Sequence, residues 1–187
     1  MPGGKLSLPE SERLVLREWR EKDWPFFAAM NANPQVMRFF PGVMTDKDSL
    51  SMWNRMREEL DERGYGLYAV ELKHSGSLIG LLGFHWADFE ADFTPCVEIG
   101  WRLVPEAWGS GYATEGARAC LKHGFARFGF DRVYSFTACV NFPSQAVMQR
   151  VGMRKIAEFN HPKVAPDSIL YPHVLYVKDT FRKIERE

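Results

Sequence analysis

Residues 97–125 read VEIGWRLVPEAWGSGYATEGARACLKHGF, and the way this stretch folds decides the architecture. VEIGWRLV, residues 97–104, is rich in β-branched and aromatic residues and reads as a strand. Gly109 and Gly111 then punctuate a turn, after which ATEGARACLKHGF carries apolar residues at helical spacing. A strand that enters a glycine turn and passes directly into a helix builds an anion cradle. The glycines let backbone approach a ligand closely, and the unpaired N–H groups of the helix's first turn point beyond it. Each charge–dipole contact of this kind contributes about 0.3–1 kcal/mol, so several amides together can hold a pyrophosphate without a lysine or arginine. Two glycines also serve simply to turn a strand into a helix, and spacing alone does not separate the two readings.

Outward from this segment the chain alternates between both classes of element. RLVLREW (13–19) has the alternation of a half-buried strand, and DWPFFAAMNA (23–32) follows as a helix with Asp23 in position to cap it. Thr45 or Asp46 caps a second helix that runs to about Arg63, with Leu50, Trp53, Met56 and Leu60 on one face and Gly64 at its end. YGLYAVEL (65–72), SLIGLLGFHW (77–86) and PCVEIGWRLV (95–104) are consecutive strands, read as antiparallel. The helical pattern 113–130 leads to a buried strand RVYSFTACV (132–140), a short helix PSQAVMQRV (143–151) and the strands MRKIAEF (153–159) and HVLYVKDTF (173–181). The order predicts an α/β fold, with strands and helices interleaved around one mixed sheet. The stretch 161–171, with Pro162 and Pro166 and with Pro172 at its edge, reads as a surface loop rather than a domain boundary.

The whole chain, 187 residues with 45% hydrophobic and 26% charged side chains, suits one compact domain, with its core spanning about 11–180. Twenty-four basic residues balance twenty-four acidic ones. No net field therefore draws the protein to nucleic acid or to an anionic membrane, and any anion site must be local. Three widely spaced cysteines, Cys96, Cys120 and Cys139, lie in apolar stretches and read as reduced core thiols. With no long apolar run and no cleavage signature after Met1, the expected location is the cytoplasm.

WGSGYATEG (108–116) resembles motif A of the GNAT superfamily of acyl-CoA N-acyltransferases, Q/R-x-x-G-x-G/A between the fourth strand and third helix. Trp108 departs from the Gln/Arg position. It is similar there to the branch containing ribosomal-protein N-terminal acetyltransferases, where an aromatic-Gly-x-Gly-Tyr-Ala turn is common. NFPSQAVMQRVGMRK (141–155) resembles the same branch's N-x-x-S segment. The resemblance implies a mostly antiparallel sheet flanked by helices on both faces and transfer of acetyl from acetyl-CoA to an amine. It also implies that the main chain of Leu103 and Val104 meets pantetheine. Trp108, Gly109, Ser110, Gly111, Tyr112, Ala113 and Thr114 would form the pyrophosphate turn, and Asn141 and Ser144 would complete the coenzyme tunnel.

Acyl transfer to an amine needs a neutral nitrogen, a donor for the developing oxyanion and a proton for the departing thiolate. An α-amino group of pKa near ~8 costs about 1.4 kcal/mol to neutralise at pH 7, and a lysine about 4.6, so the demand for a base depends on the acceptor. Glu98, on the strand that leads to the cradle, is the candidate base, or else a carboxylate paired within the sheet. A main-chain N–H of that strand would hold the oxyanion. The superfamily's frequent tyrosine acid falls on Met148 here, which leaves Ser144 as the substitute, or as a helix cap. His85 and Trp86 are candidates for the acceptor side, and Asp88, Glu90 and Asp92 form an acidic loop that attracts a cation or is merely solvated. His161 and His173 lack a supporting cysteine pattern, so no metal is expected. The acceptor pocket is expected between the two N-terminal helices and the 161–171 loop. A protein N-terminus, a polyamine, an amino acid and an aminoglycoside all stay open as acceptors, and the chain as monomer or homodimer. The rival reading is a non-catalytic acyl-CoA sensor of the same fold; a nucleotide-phosphate binder is disfavoured because G-x-x-x-x-G-K-[ST] is missing.

Overall fold

The computed structural model describes residues 8–180. Within them the order is β1 (Leu14–Arg17), α1 (Trp24–Ala32), α2 (Asp46–Arg63), β2 (Leu67–Leu72), β3 (Leu78–Ala87), β4 (Cys96–Leu103), α3 (Tyr112–His123), β5 (Arg132–Ala138), α4 (Phe142–Arg150), β6 (Arg154–Asn160) and β7 (Pro172–Asp179). The sheet runs β1-β2-β3-β4-β5-β7-β6. Every neighbouring pair is antiparallel except β4 and β5. The expected residue Phe181 of the last strand, and the residues after Met1 on which the location was argued, lie outside the described residues.

One face of the sheet packs Leu16, Leu82, Phe84 and Ile99 against Ala117 and Leu121 of α3 and Val147 of α4. The other packs Ala69 and Leu81 against Phe27 and Met30 of α1 and Trp53 and Met56 of α2. β4 shows the strand period between them: Ile99, Trp101 and Leu103 belong to the α3 side, so Glu98, Gly100 and Arg102 face α1 and α2. Cys96 and Cys120 are buried and Cys139 is partly so.

Local chemistry explains the helix ends. Thr45 accepts from Asp48 N while Asp48 reaches back to Thr45 N, a reciprocal cap on α2, and Gly64 ends the helix at φ 73°. The buried stripe of α2 differs from the expected one. It runs Ser49, Trp53, Met56, Leu60, at spacings of four, three and four, and this turns Leu50 outward. Asp23 does not cap α1 with its side chain. Its carboxylate instead takes Arg17 Nη1 at 2.6 Å and Arg20 N at 2.8 Å, because the buried Arg17 guanidinium requires an anion. The helical pattern 113–130 resolves into α3 followed by a π-helical turn, Gly124–Phe128. The 161–171 segment is not a bare surface loop. A chain of tight turns folds it back, and it buries Val164 and Leu170 against Ala138.

Candidate active site

β4 and β5 separate almost as soon as they meet. Their register holds one pair, Glu98 with Tyr134, and Ser135 Oγ donates to Ile99 O at 2.8 Å. Backbone groups alternate along a strand, and Val104 N–H points back to β3, donating to Ile79 O at 2.9 Å. By that alternation Trp101 and Leu103 present theirs to the opening gap. Val104 therefore does not fit its expected role: its N–H is taken by β3 and its carbonyl by Ala107 N. Leu103 does face the gap, and its carbonyl also accepts Trp108 Nε1 at 2.8 Å, which ties the following turn to the strand end.

That turn leads into α3 through Gly109 and Gly111, at φ 75° and 80°, a left-handed conformation costly to any residue with a Cβ. No side chain caps α3, so its first-turn amides remain available. Open space lies where a Gly109 Cβ would stand, and Arg13 Nη2 comes to 3.6 Å of the Gly111 Cβ position. This is an uncrowded, donor-rich concavity of the kind a diphosphate fits. Arg13 spans it from the other side of the chain. Its Nη1 donates to Ser110 O, its Nε pairs with Glu115, and its guanidinium lies 4.6 Å from the Tyr112 ring. Nothing in RLVLREW marks Arg13 for this place, which only the fold of β1 beside α3 creates. Arg38 lies 5.0 Å over Trp108, on the cradle's other flank.

A cavity of about 1480 Å³ is lined by Leu103, Trp108, Gly109, Gly111 and Tyr112 through Thr114, as well as by Asn141, Ser144, His85 and Glu98. Its wall does not include Val104, Ser110 or Trp86. Trp86 sits under Arg63, 4.6 Å from the guanidinium carbon to its ring. Asn141 accepts from Ser144 N and donates to Thr137 Oγ1 at 2.8 Å and Ser144 Oγ at 3.1 Å, so it caps α4 and fixes the serine hydroxyl together. Met148 is buried in the core and also reaches the cavity wall.

Glu98 and His85 stand opposite each other across β3 and β4. Burial raises the Glu98 carboxyl to about 7, with the Glu59 charge adding to the effect and His85 opposing it. His85 Nδ1 lies 2.8 Å from Glu59 Oε2, and Glu59 also takes the Trp86 N–H. Burial works against a charge on His85, but the hydrogen bond and charge of Glu59, with the charges of Glu98 and Asp88, raise its pKa overall. Glu59, on the polar side of α2 in sequence, carries no signal that it holds this histidine.

Farther along the wall, the 161–171 segment contributes His161, Val164 and Leu170, and the α1–α2 connection contributes Phe39 and Phe40. His161 and His173, far apart in sequence, bring their rings to 4.8 Å. Burial, His173 and Lys163 lower His161 to about 4 and burial also lowers His173, which favours neutral rings packed beside Phe136 and Phe159. No group of three or more metal-ligating side chains occurs among the described residues. Asp88, Glu90 and Asp92 are exposed and outside the main cavity, and their loop is anchored by Phe89 and Phe93 packing on Phe136.

The acetyltransferase (GNAT) domain model matches residues 13–154, which include the cradle, the β4–β5 gap and the start of α4. The chain belongs to the GNAT acetyltransferase family. Like its relatives it is an acetyl-CoA-dependent acyltransferase. It is 32% identical over 146 residues to the uncharacterized N-acetyltransferase YnaD of Bacillus subtilis, covering 78% of this chain and 81% of that one. Among solved structures, a GNAT-family acetyltransferase from Bacillus anthracis matches with a TM-score of 0.75 and 27% identity, over 92% of this chain and 98% of that one. The ribosomal L7/L12 α-N-protein acetyltransferase RimL, solved with coenzyme A, has the same GNAT fold: TM-score 0.74, 18% identity, 92% and 97% covered. No helix among the described residues is long and apolar enough to cross a membrane.

Proposed function

We propose that this GNAT enzyme moves the acetyl group of acetyl-CoA to a primary amine by direct attack in a ternary complex, with Glu98 as the base. The observation that carries the reading is Glu98 itself, a carboxylate of pKa about 7 on the wall of the same cavity that holds the uncapped glycine turn. Gly109 to Thr114 would hold the diphosphate through main-chain N–H groups, with the Arg13 charge beside them. Leu103 and Trp101 would meet the pantetheine and the thioester through the open edge of β4.

Glu98 takes a proton from the incoming ammonium or the attacking amine, directly or through water. The nitrogen forms its bond to the thioester carbonyl carbon, and a main-chain N–H in the β4 gap stabilises the oxygen while it carries negative charge. The carbon–sulfur bond then breaks, and the thiolate receives a proton from the Ser144 hydroxyl held by Asn141. The serine takes one up from solvent water in turn, while Glu98 releases its own proton to solvent before the next turnover. The RimL structure, named for a protein α-amine, supports a terminal amine as acceptor by likeness of fold. The test is release of free thiol from acetyl-CoA with a panel of amines. Amine-dependent release at a rate that rises with pH around 7 is expected, and coenzyme binding with no turnover of any amine would contradict the reading.

A further inference from the structure

Arg102 stands two residues beyond Gly100, on the same face of β4 as Glu98 and in the wall of the same cavity. Its guanidinium carbon lies 4.3 Å from the centre of the Phe40 ring, and the Met44 and Met52 sulfurs are 4.0 Å from Nη1. Nη1 donates to Asn31 Oδ1, and Asn31 is held in turn by Ser49 through its Nδ2 at 3.3 Å. Asn31 and Ser49 are fully buried, so the arginine is aimed by a fixed neutral chain rather than neutralised by an acid. Its Nε is buried with no hydrogen-bond partner, and it forms no ion pair, among the described residues. Burial alone lowers its pKa, to about 10, which still leaves it charged at neutral pH. A buried guanidinium with an unused donor is costly to the fold unless something brings it an anion.

The coenzyme does not supply that anion at this place, because its phosphates belong at the glycine turn and its pantetheine arm is uncharged. We infer that Arg102 receives a carboxylate of the acceptor, so that the molecule acetylated here carries both a primary amine, presented to Glu98, and a carboxylate, presented to Arg102. The inference rests on the proposed function and narrows it. Four residue steps along the strand put the two Cα atoms about 13 Å apart, and both long side chains project from one face. The space left between their ends suits a free amino acid or a short amino-carboxylate. The planar fork of the guanidinium matches a carboxylate in two-point contact. The same charge repels a polycationic amine.

The test compares initial rates, at saturating acetyl-CoA, for free amino acids and ω-amino acids of increasing length against their own carboxamides, with spermidine as the polycation. Wild-type protein should favour the best carboxylate over its carboxamide by roughly tenfold or more in kcat/KM. Arg102→Met should bring that ratio near one without changing the calorimetric affinity for coenzyme A, and Arg102→Lys should keep part of the preference. Carboxamides used as well as carboxylates by the wild type would overturn the inference. So would a preference that survives Arg102→Met, or a loss of coenzyme affinity in that variant, which would assign the arginine to the other substrate. If Arg102→Met does not fold, the wild-type ratio and Arg102→Lys decide. Wild-type protein that turns over no amine overturns the proposed function, and this inference falls with it.

Discussion

The cradle end of the cavity is made of backbone from one continuous segment, 103–114, whereas the opposite end is made of side chains from the α1–α2 connection, α2, β3, β4 and the 161–171 segment. The first depends on left-handed glycines and uncapped amides, features that survive changes in most side chains around them. The second depends on which residues the tertiary fold happens to bring together, such as Glu59 with His85 or Asn31 with Arg102. One fold could thus keep a single acyl donor and change its acceptor, if main chain grips the donor and exchangeable side chains the acceptor, as proposed.

Substitutions at the two ends should separate their effects. Glu98→Gln should lower kcat by about a hundredfold or more and remove the rise of rate around pH 7, while coenzyme A affinity stays as in the wild type. The sign follows from the base being active only when deprotonated: the wild-type rate should climb as pH passes upward through about 7. Steady-state kinetics from pH 5.5 to 9 measure both. At the cradle end, Arg13→Gln should weaken coenzyme A by roughly threefold with kcat little changed, because the exposed charge is screened by solvent and the amides remain. Isothermal titration at two salt concentrations checks it, and the difference from the wild type should shrink as salt rises. The smallest effect is expected from His85→Asn. A cation that favours the ionised Glu98 is lost, so the midpoint of the pH–rate curve should move upward with coenzyme affinity unchanged. A downward move would show that His85 and Glu98 do not interact as their cross-strand pairing implies.

The same contrast governs what the sequence made legible. The strand, glycine turn and helix of 97–125 are contiguous, so periodicity and turn chemistry outlined that segment, but only its resemblance to GNAT motif A separated a cradle from a plain turn, and Asn141 and Ser144 likewise came from the resemblance of a second contiguous segment. For the acceptor the sequence offered only an expected location, between the N-terminal helices and the 161–171 segment. Arg13 and Glu59 gave no local signal, because an arginine before a strand and a glutamate on a polar helix face are ordinary. Arg102 did give one: Glu98, Gly100 and Arg102 share the strand period, so a charged residue in phase with the candidate base could have been read from VEIGWRLV. Leu50 was misplaced because the helix stripe is rotated, and Asp23 stands at the N-cap position of α1 as read, but with its carboxylate drawn to the buried Arg17 instead of the helix amides. Val104 was misassigned by one residue of strand phase, which turns every main-chain donor from one neighbour to the other.

The most direct measurement is a calorimetric titration of coenzyme A into the wild type, Gly111→Val and Glu98→Gln. Valine at φ 80° strains the turn and covers the amides where the diphosphate approaches. The account predicts saturable binding by the wild type, equal binding by Glu98→Gln and a loss of at least about tenfold in Gly111→Val, with the melting temperature of each unliganded protein recorded alongside. Gly111→Val that stays folded and binds as the wild type does would contradict a backbone-built donor site.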